Sequence, residues 1–129
     1  KNVIGENSCL NLINITIERN SFGSQLDSFA GEALIPAVSP DPVPLTFIRA
    51  PKILAAESNV QVLLRMDDYI AAAENESILV TVFHPELTGC LALHHYFAVK
   101  CGLKTTLKNN EYADPLWSIS SWTKHSGIA

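Results

Sequence analysis

The chain has 129 residues, 47% of them hydrophobic and 17% charged, with a formal net charge of -4. That length suits one domain able to bury roughly two thirds of its unfolded surface. An acidic balance without a basic stripe excludes a nucleic-acid footprint, and no apolar run approaches the ~20 residues of a membrane-spanning helix.

The first residues, "KNVIGENS", lack both an initiator methionine and the apolar core of a signal peptide, so the chain reads as a fragment or a processed product. Three cysteines, Cys9, Cys90 and Cys101, are an odd number without C-x-x-C spacing. That pattern is neither a disulfide framework nor a zinc knuckle and fits a reducing, cytoplasmic setting. The sequons at Asn14 and Asn75 are short enough to arise by chance.

In chain order, "LINITIER" alternates, with Ile13, Ile15 and Ile17 on one side and Asn14, Thr16 and Glu18 on the other, which predicts a half-buried strand. "RNSFGSQ" supplies turn residues, and "LDSFAGEALI" resumes as extended chain. "PAVSPDPVP" holds four prolines in nine residues and reads as a loop. "LTFIRAP" is a short strand stopped by Pro51, and "NVQVLLRM" and "YIAAAE" are two more. "NE" at 75–76 turns a hairpin into "SILVTVF", a strand apolar enough to want cover on both faces, as in a parallel sheet flanked by helices. A helix follows, with Thr88 as its expected N-cap and Cys90, Leu93, Phe97 and Cys101 as its apolar stripe. Gly102 stops it, and Lys100 suits its C-terminal end. Residues 104–129 show no clear period, although they hold Trp117 and Trp122.

Chemistry concentrates at "FHPE". In extended chain, residues i and i+2 project to one side about 7 Å apart, so His84 and Glu86 would share a face. A carboxylate accepting from one ring nitrogen fixes the tautomer and leaves the other nitrogen as a base. This makes two thirds of a nucleophile–histidine–acid triad; a solvated strand end is the plainer reading of the same residues. His94 and His95 invite a metal site, but adjacent helical residues diverge by about 100°, and no metal is expected.

Three motifs resolve the choice. "FHPE" resembles the His-Pro-Glu segment of class I glutamine amidotransferases. More specifically, "ERNSFGSQLDSF" at 18–29, "FIRAP" at 47–51 and "FHPELT" followed by "LHHYF" resemble, in chain order, the glutaminase subunit of pyridoxal 5′-phosphate synthase (the PdxT type), and they cover the C-terminal half of such a protein. The resemblance implies an α/β, flavodoxin-like three-layer fold, here strand-rich and without its N-terminal half. Residues 1–103 would be the C-terminal part of a glutaminase domain and 104–129 an unmatched tail. The family hydrolyses L-glutamine to glutamate and ammonia through a cysteine thioester and passes the ammonia to a synthase subunit that makes pyridoxal phosphate. His84 matches its general base and Glu86 the acid that orients it. Arg19, Ile48 and Arg49 match glutamine-binding positions; a guanidinium fork suits a carboxylate, while an ordinary surface salt bridge is the plain alternative for either arginine. No cofactor is implied.

The family's G-T-C-A-G nucleophile turn and G-G-E-S loop are both absent from the chain. Cys9 precedes a strand without a glycine elbow and is no substitute. Hence the residues as given are expected to lack glutaminase activity. A truncated, non-catalytic paralogue that docks on the synthase subunit remains open, as does another class I amidotransferase domain, which should lack "RNxFG" and "FIRAP".

Overall fold

The computed structural model describes residues 1–19 and 28–105. The expected turn at "NSFGSQ" and nearly all of the 104–129 segment therefore lie outside the described residues.

Among the described residues eight strands form two sheets: β1 (Asn2–Val3), β2 (Ile15–Glu18), β3 (Phe29–Ala33), β4 (Val43–Phe47), β5 (Lys52–Ala56), β6 (Gln61–Arg65), β7 (Ile70–Glu74) and β8 (Leu79–Thr81). The larger sheet runs β1-β2-β5-β7-β6, with β8 also paired to β7, while β3 and β4 make a separate ribbon. One 3₁₀ turn, Pro85–Leu87, precedes the single described helix, α1 (Ala92–Lys100).

Several strands stand where the apolar patterning puts them. Ile13 and Ile15 are buried and Ile17 packs on the core, as their alternation requires. β7 is buried along its whole length, since it has neighbours on both edges. Ala72 faces Leu64 of β6 on one side and Thr81 of β8 on the other.

Four expectations change. β5 was not anticipated, because Pro51 looks like a terminator and both faces of "KILAA" are apolar. Yet β5 is central, pairing Ile17 with Ile53 and Ile53 with Ile70; a proline ahead of a strand's first residue costs no ladder bond. Pro44, assigned to the loop, lies in β4 opposite Glu32, tolerated because a two-stranded ribbon has only edge strands. The hairpin expected at "NE" is present, with β8 antiparallel to β7, but the cover expected on both faces of "SILVTVF" is not, since the residues of β8 are only half-buried. The hairpin rests on the tight turn at Asn75, whose Oδ1 accepts from the amides of Ser77 at 2.9 Å and Ile78 at 2.8 Å. So short a connection can join only antiparallel neighbours.

The fourth change concerns the helix. Its N-cap is Leu91, without a side-chain cap. Thr88 instead closes the 3₁₀ turn, its Oγ1 donating to the Pro85 carbonyl at 3.0 Å. Of the expected stripe, Cys90 and Leu93 are buried, but Phe97 and Cys101 are exposed. The stop is as expected. Gly102 has φ +79, and its amide donates to Val99 while that of Leu103 donates to Ala98, a Schellman motif.

The core centres on Phe47, Ile35, Leu45, Ile53 and Ile70. Phe47 stacks on Phe29 with ring centroids 4.4 Å apart and meets Phe83 edge-on at 5.9 Å. Through Phe83 the ribbon is packed against the chain just ahead of His84.

Candidate active site

Phe83 is buried and His84 emerges, its amide donating to the Thr46 carbonyl at 2.7 Å. The backbone there is not extended. His84 caps the 3₁₀ turn and Pro85 occupies its first position, where a fixed φ and a missing N–H cost nothing. The turn still delivers the pair: His84 Nδ1 and Glu86 Oε1 are 2.8 Å apart. A carboxylate can only accept, so Nδ1 carries the proton and Nε2 is left with its lone pair. The bond from His84 is the main reason the Glu86 carboxyl sits below the usual glutamate range; burial opposes it, and a hydrogen bond from the Glu86 backbone, the charge of His84 and, least of all, that of His94 add to it. Side-chain exposures of 42% and 57% leave the pair open to a reactant.

The arginines form a second group. Arg19 and Arg49 line one cleft of about 510 Å³ with Val3, Ile17 and Pro51. Arg19 Nη1 donates to both carboxylate oxygens of Glu6, at 3.0 and 2.8 Å, so part of its charge is already engaged. Arg49 makes no such contact among the described residues and sits at φ 46, a left-handed conformation that costs a side-chain-bearing residue roughly 1–2 kcal/mol. Ile48 is 39% exposed beside it. His84 and Glu86 are not in the described lining of this cleft. What joins the two groups is the end of β4: Thr46 holds the His84 amide, and Ile48 and Arg49 follow two and three residues on.

Cys9 is exposed in an irregular loop, Cys90 is buried and Cys101 is exposed at the helix end, so none of them follows a strand on a tight elbow. His94 lines a groove with Leu79, Thr81, Pro85, Leu93 and Phe97. His95 Nδ1 instead shares a hydrogen bond with the Thr105 hydroxyl. Among the described residues no three or more His, Cys, Asp or Glu side chains stand together as a metal site would need.

Reading the sequence missed one polar cluster. Glu74, only 7% exposed, takes a hydrogen bond from the Tyr96 hydroxyl at 2.6 Å and an ion pair from Lys100 at 3.0 Å. Lys100 also donates to the Asn75 carbonyl at 2.7 Å. The available signal was the i, i+4 spacing of Tyr96 and Lys100 on one helix face.

A profile of the SNO glutamine amidotransferase family matches residues 1–103. The chain belongs to this family. It is 54% identical over 123 residues to the pyridoxal 5′-phosphate synthase subunit PdxT of Syntrophus aciditrophicus, covering 95% of this chain and 55% of that protein. It is 49% identical over 94 residues to the PdxT subunit of Clostridium kluyveri, covering 73% of this chain and 50% of that one. A crystal structure of a glutamine amidotransferase superposes with a TM-score of 0.71 at 32% identity, covering 79% of this chain and 54% of the other. The fold is thus the α/β, class I amidotransferase-like one expected. The chain spans about half the length of the curated relatives it matches. The Syntrophus alignment leaves out only six residues of this chain, so most of the 104–129 segment has a counterpart there. Among the described residues no helix is long and apolar enough to cross a membrane.

Proposed function

We propose that this chain is the C-terminal part of a glutaminase that hydrolyses L-glutamine to glutamate and ammonia. It would work in the cytoplasm, docked on the synthase subunit of pyridoxal 5′-phosphate synthase, to which the ammonia passes. The His84–Glu86 pair at 2.8 Å carries the reading, supported by the family and by the names of the relatives.

In this reading Glu86 holds the His84 ring with Nε2 facing the reactants. Nε2 takes the proton of a cysteine thiol, the thiolate attacks the carboxamide carbon, and the C–N bond breaks as the imidazolium returns the proton to the departing ammonia. Nε2 then deprotonates the water that opens the thioester, releasing glutamate. Arg49, with Ile48 beside it, and Arg19 would bind glutamine, the guanidinium groups pairing with its carboxylate. Glu6 must give way at Arg19, a small cost for so exposed a pair. The thiol and its oxyanion donors would come from the half of the relatives' length that this chain does not span.

A non-catalytic module docking on the synthase subunit is the competing reading, favoured by the lack of a nucleophile turn in residues 1–129. One experiment decides. The chain is extended upstream to the length of its relatives, mixed with a cognate synthase subunit and assayed for ammonia release. The extended chain should turn over glutamine, and His84→Asn should lower the rate by about 10²–10⁴-fold. A rate within tenfold of the parent would remove His84 from the mechanism, and an inactive extended parent would favour the module.

A further inference from the structure

We infer that Glu74, Tyr96 and Lys100 are positioning residues for the His84–Glu86 pair, aiming the Glu86 carboxylate through the placement of α1. The inference rests on the reading of that pair as a base and its orienting acid.

The argument begins with how α1 is held. Its first turn is anchored by apolar burial of Ala92 and Leu93, with Cys90 just ahead. Its second half lacks that anchor, since Phe97 and Val99 are exposed. Tyr96 and Lys100 hold it instead, both reaching the one buried carboxylate of Glu74 at the end of β7. Lys100 adds a bond to the Asn75 carbonyl in the β7–β8 turn. The contacts close a loop from residue 74 to residue 100, and His84 and Glu86 lie partway around it.

The two members of the pair are not secured alike. The backbone of His84 is pinned from outside the loop by Thr46 of β4. Glu86 lies in the 3₁₀ turn, which packs against β4 on one side and whose amide bonds run from Leu87 to His84 and from Thr88 to Pro85. Downstream the chain continues into α1. Pro85 of the turn shares a groove with Leu93, His94 and Phe97 of the helix. Through that groove a change in the tilt of α1 would reach the turn that carries Glu86, while the His84 backbone stays pinned to Thr46.

The test uses the isotopically labelled chain extended upstream to the length of its relatives. The Glu86 carboxyl is titrated by carbon-detected NMR, and the His84 tautomer is read by long-range proton–nitrogen correlation, with Glu86→Gln marking a broken pair. In the parent, Glu86 should titrate below ordinary glutamate and His84 should be the Nδ1–H tautomer. Lys100→Met and Tyr96→Phe should return the Glu86 midpoint at least half-way to the ordinary value and mix the tautomers. Asn59→Ala, which removes an exposed bond to Asn14 elsewhere, should leave both signatures unchanged. If Lys100→Met does not fold, Tyr96→Phe, which deletes a single hydroxyl, decides. Variants that melt earlier yet keep both signatures overturn the inference and leave the pair intact. A parent lacking both signatures overturns the reading of the pair, and the inference with it.

Discussion

Glu74 and Glu86 are both carboxylates with a nearby hydrogen-bond donor, and they stand at opposite ends of one stretch of chain. Glu74 is buried, shared between a phenol and an ammonium, and contributes by not moving. Glu86 is more than half exposed and bound to one imidazole. Burial makes the first contact expensive to break and the second cheap, because a charge deprived of its partner in the interior cannot turn to water. In the proposed reading the exposed arrangement would serve reactivity and the buried one would supply the frame around it.

The sharpest way to break this contrast is Lys100→Met. It strands the Glu74 carboxylate, and removing one partner of a buried pair costs about 3–5 kcal/mol. Urea unfolding should show the midpoint falling by that equivalent; a loss under about 1 kcal/mol would place the pair with surface bridges.

A second probe is alkaline pH. Burial, then the bond to Glu74 and its charge, push the Tyr96 phenol up to about 12 from an ordinary 10.0. The folded value lies above the unfolded one, so this contribution to stability is complete below pH 10 and is lost as pH rises toward 12. Stability should decline across that window, and Tyr96→Phe should flatten the decline. A parent whose stability follows that of the variant would show that the phenol is not held.

The smallest effect belongs to the exposed side of the comparison. Glu6→Ala removes the partner of Arg19 where both side chains are more than half exposed. The expected change is about 0–1 kcal/mol, screened further by salt. A loss comparable to that of Lys100→Met would mean that the Arg19 contact is structural.

What could be read from the amino acids divides along a similar line. Local chemistry was legible: the alternation at Ile13 to Ile17, the Asn75 turn and the helix stop at Gly102 each depend on a few consecutive residues. His84 and Glu86 were rightly placed together, although for a backbone that is not there. Extended chain and a 3₁₀ turn both bring i and i+2 within reach of long side chains, so the pairing was insensitive to the error. Non-local facts were not legible. β5 owes its place to partners on β2 and β7, and Glu74 acquires its role only when a helix many residues later lies across it. The Arg19–Arg49 cleft likewise depends on β2 and β5 lying side by side. Of the "ERNSFGSQLDSF" motif, residues 20–27 lie outside those described, and only its two ends were open to comparison.

Arg49 carries a consequence of its own. Its left-handed backbone, φ 46, is one that glycine or asparagine occupies with less strain, so a library of this chain sorted for thermal resistance alone should drift away from arginine at that position. The same library, extended to the length of its relatives and sorted for growth without supplied pyridoxal, should hold it. Selection for durability and selection for use would then part company at one codon, as expected if the proposed glutamine site uses that arginine.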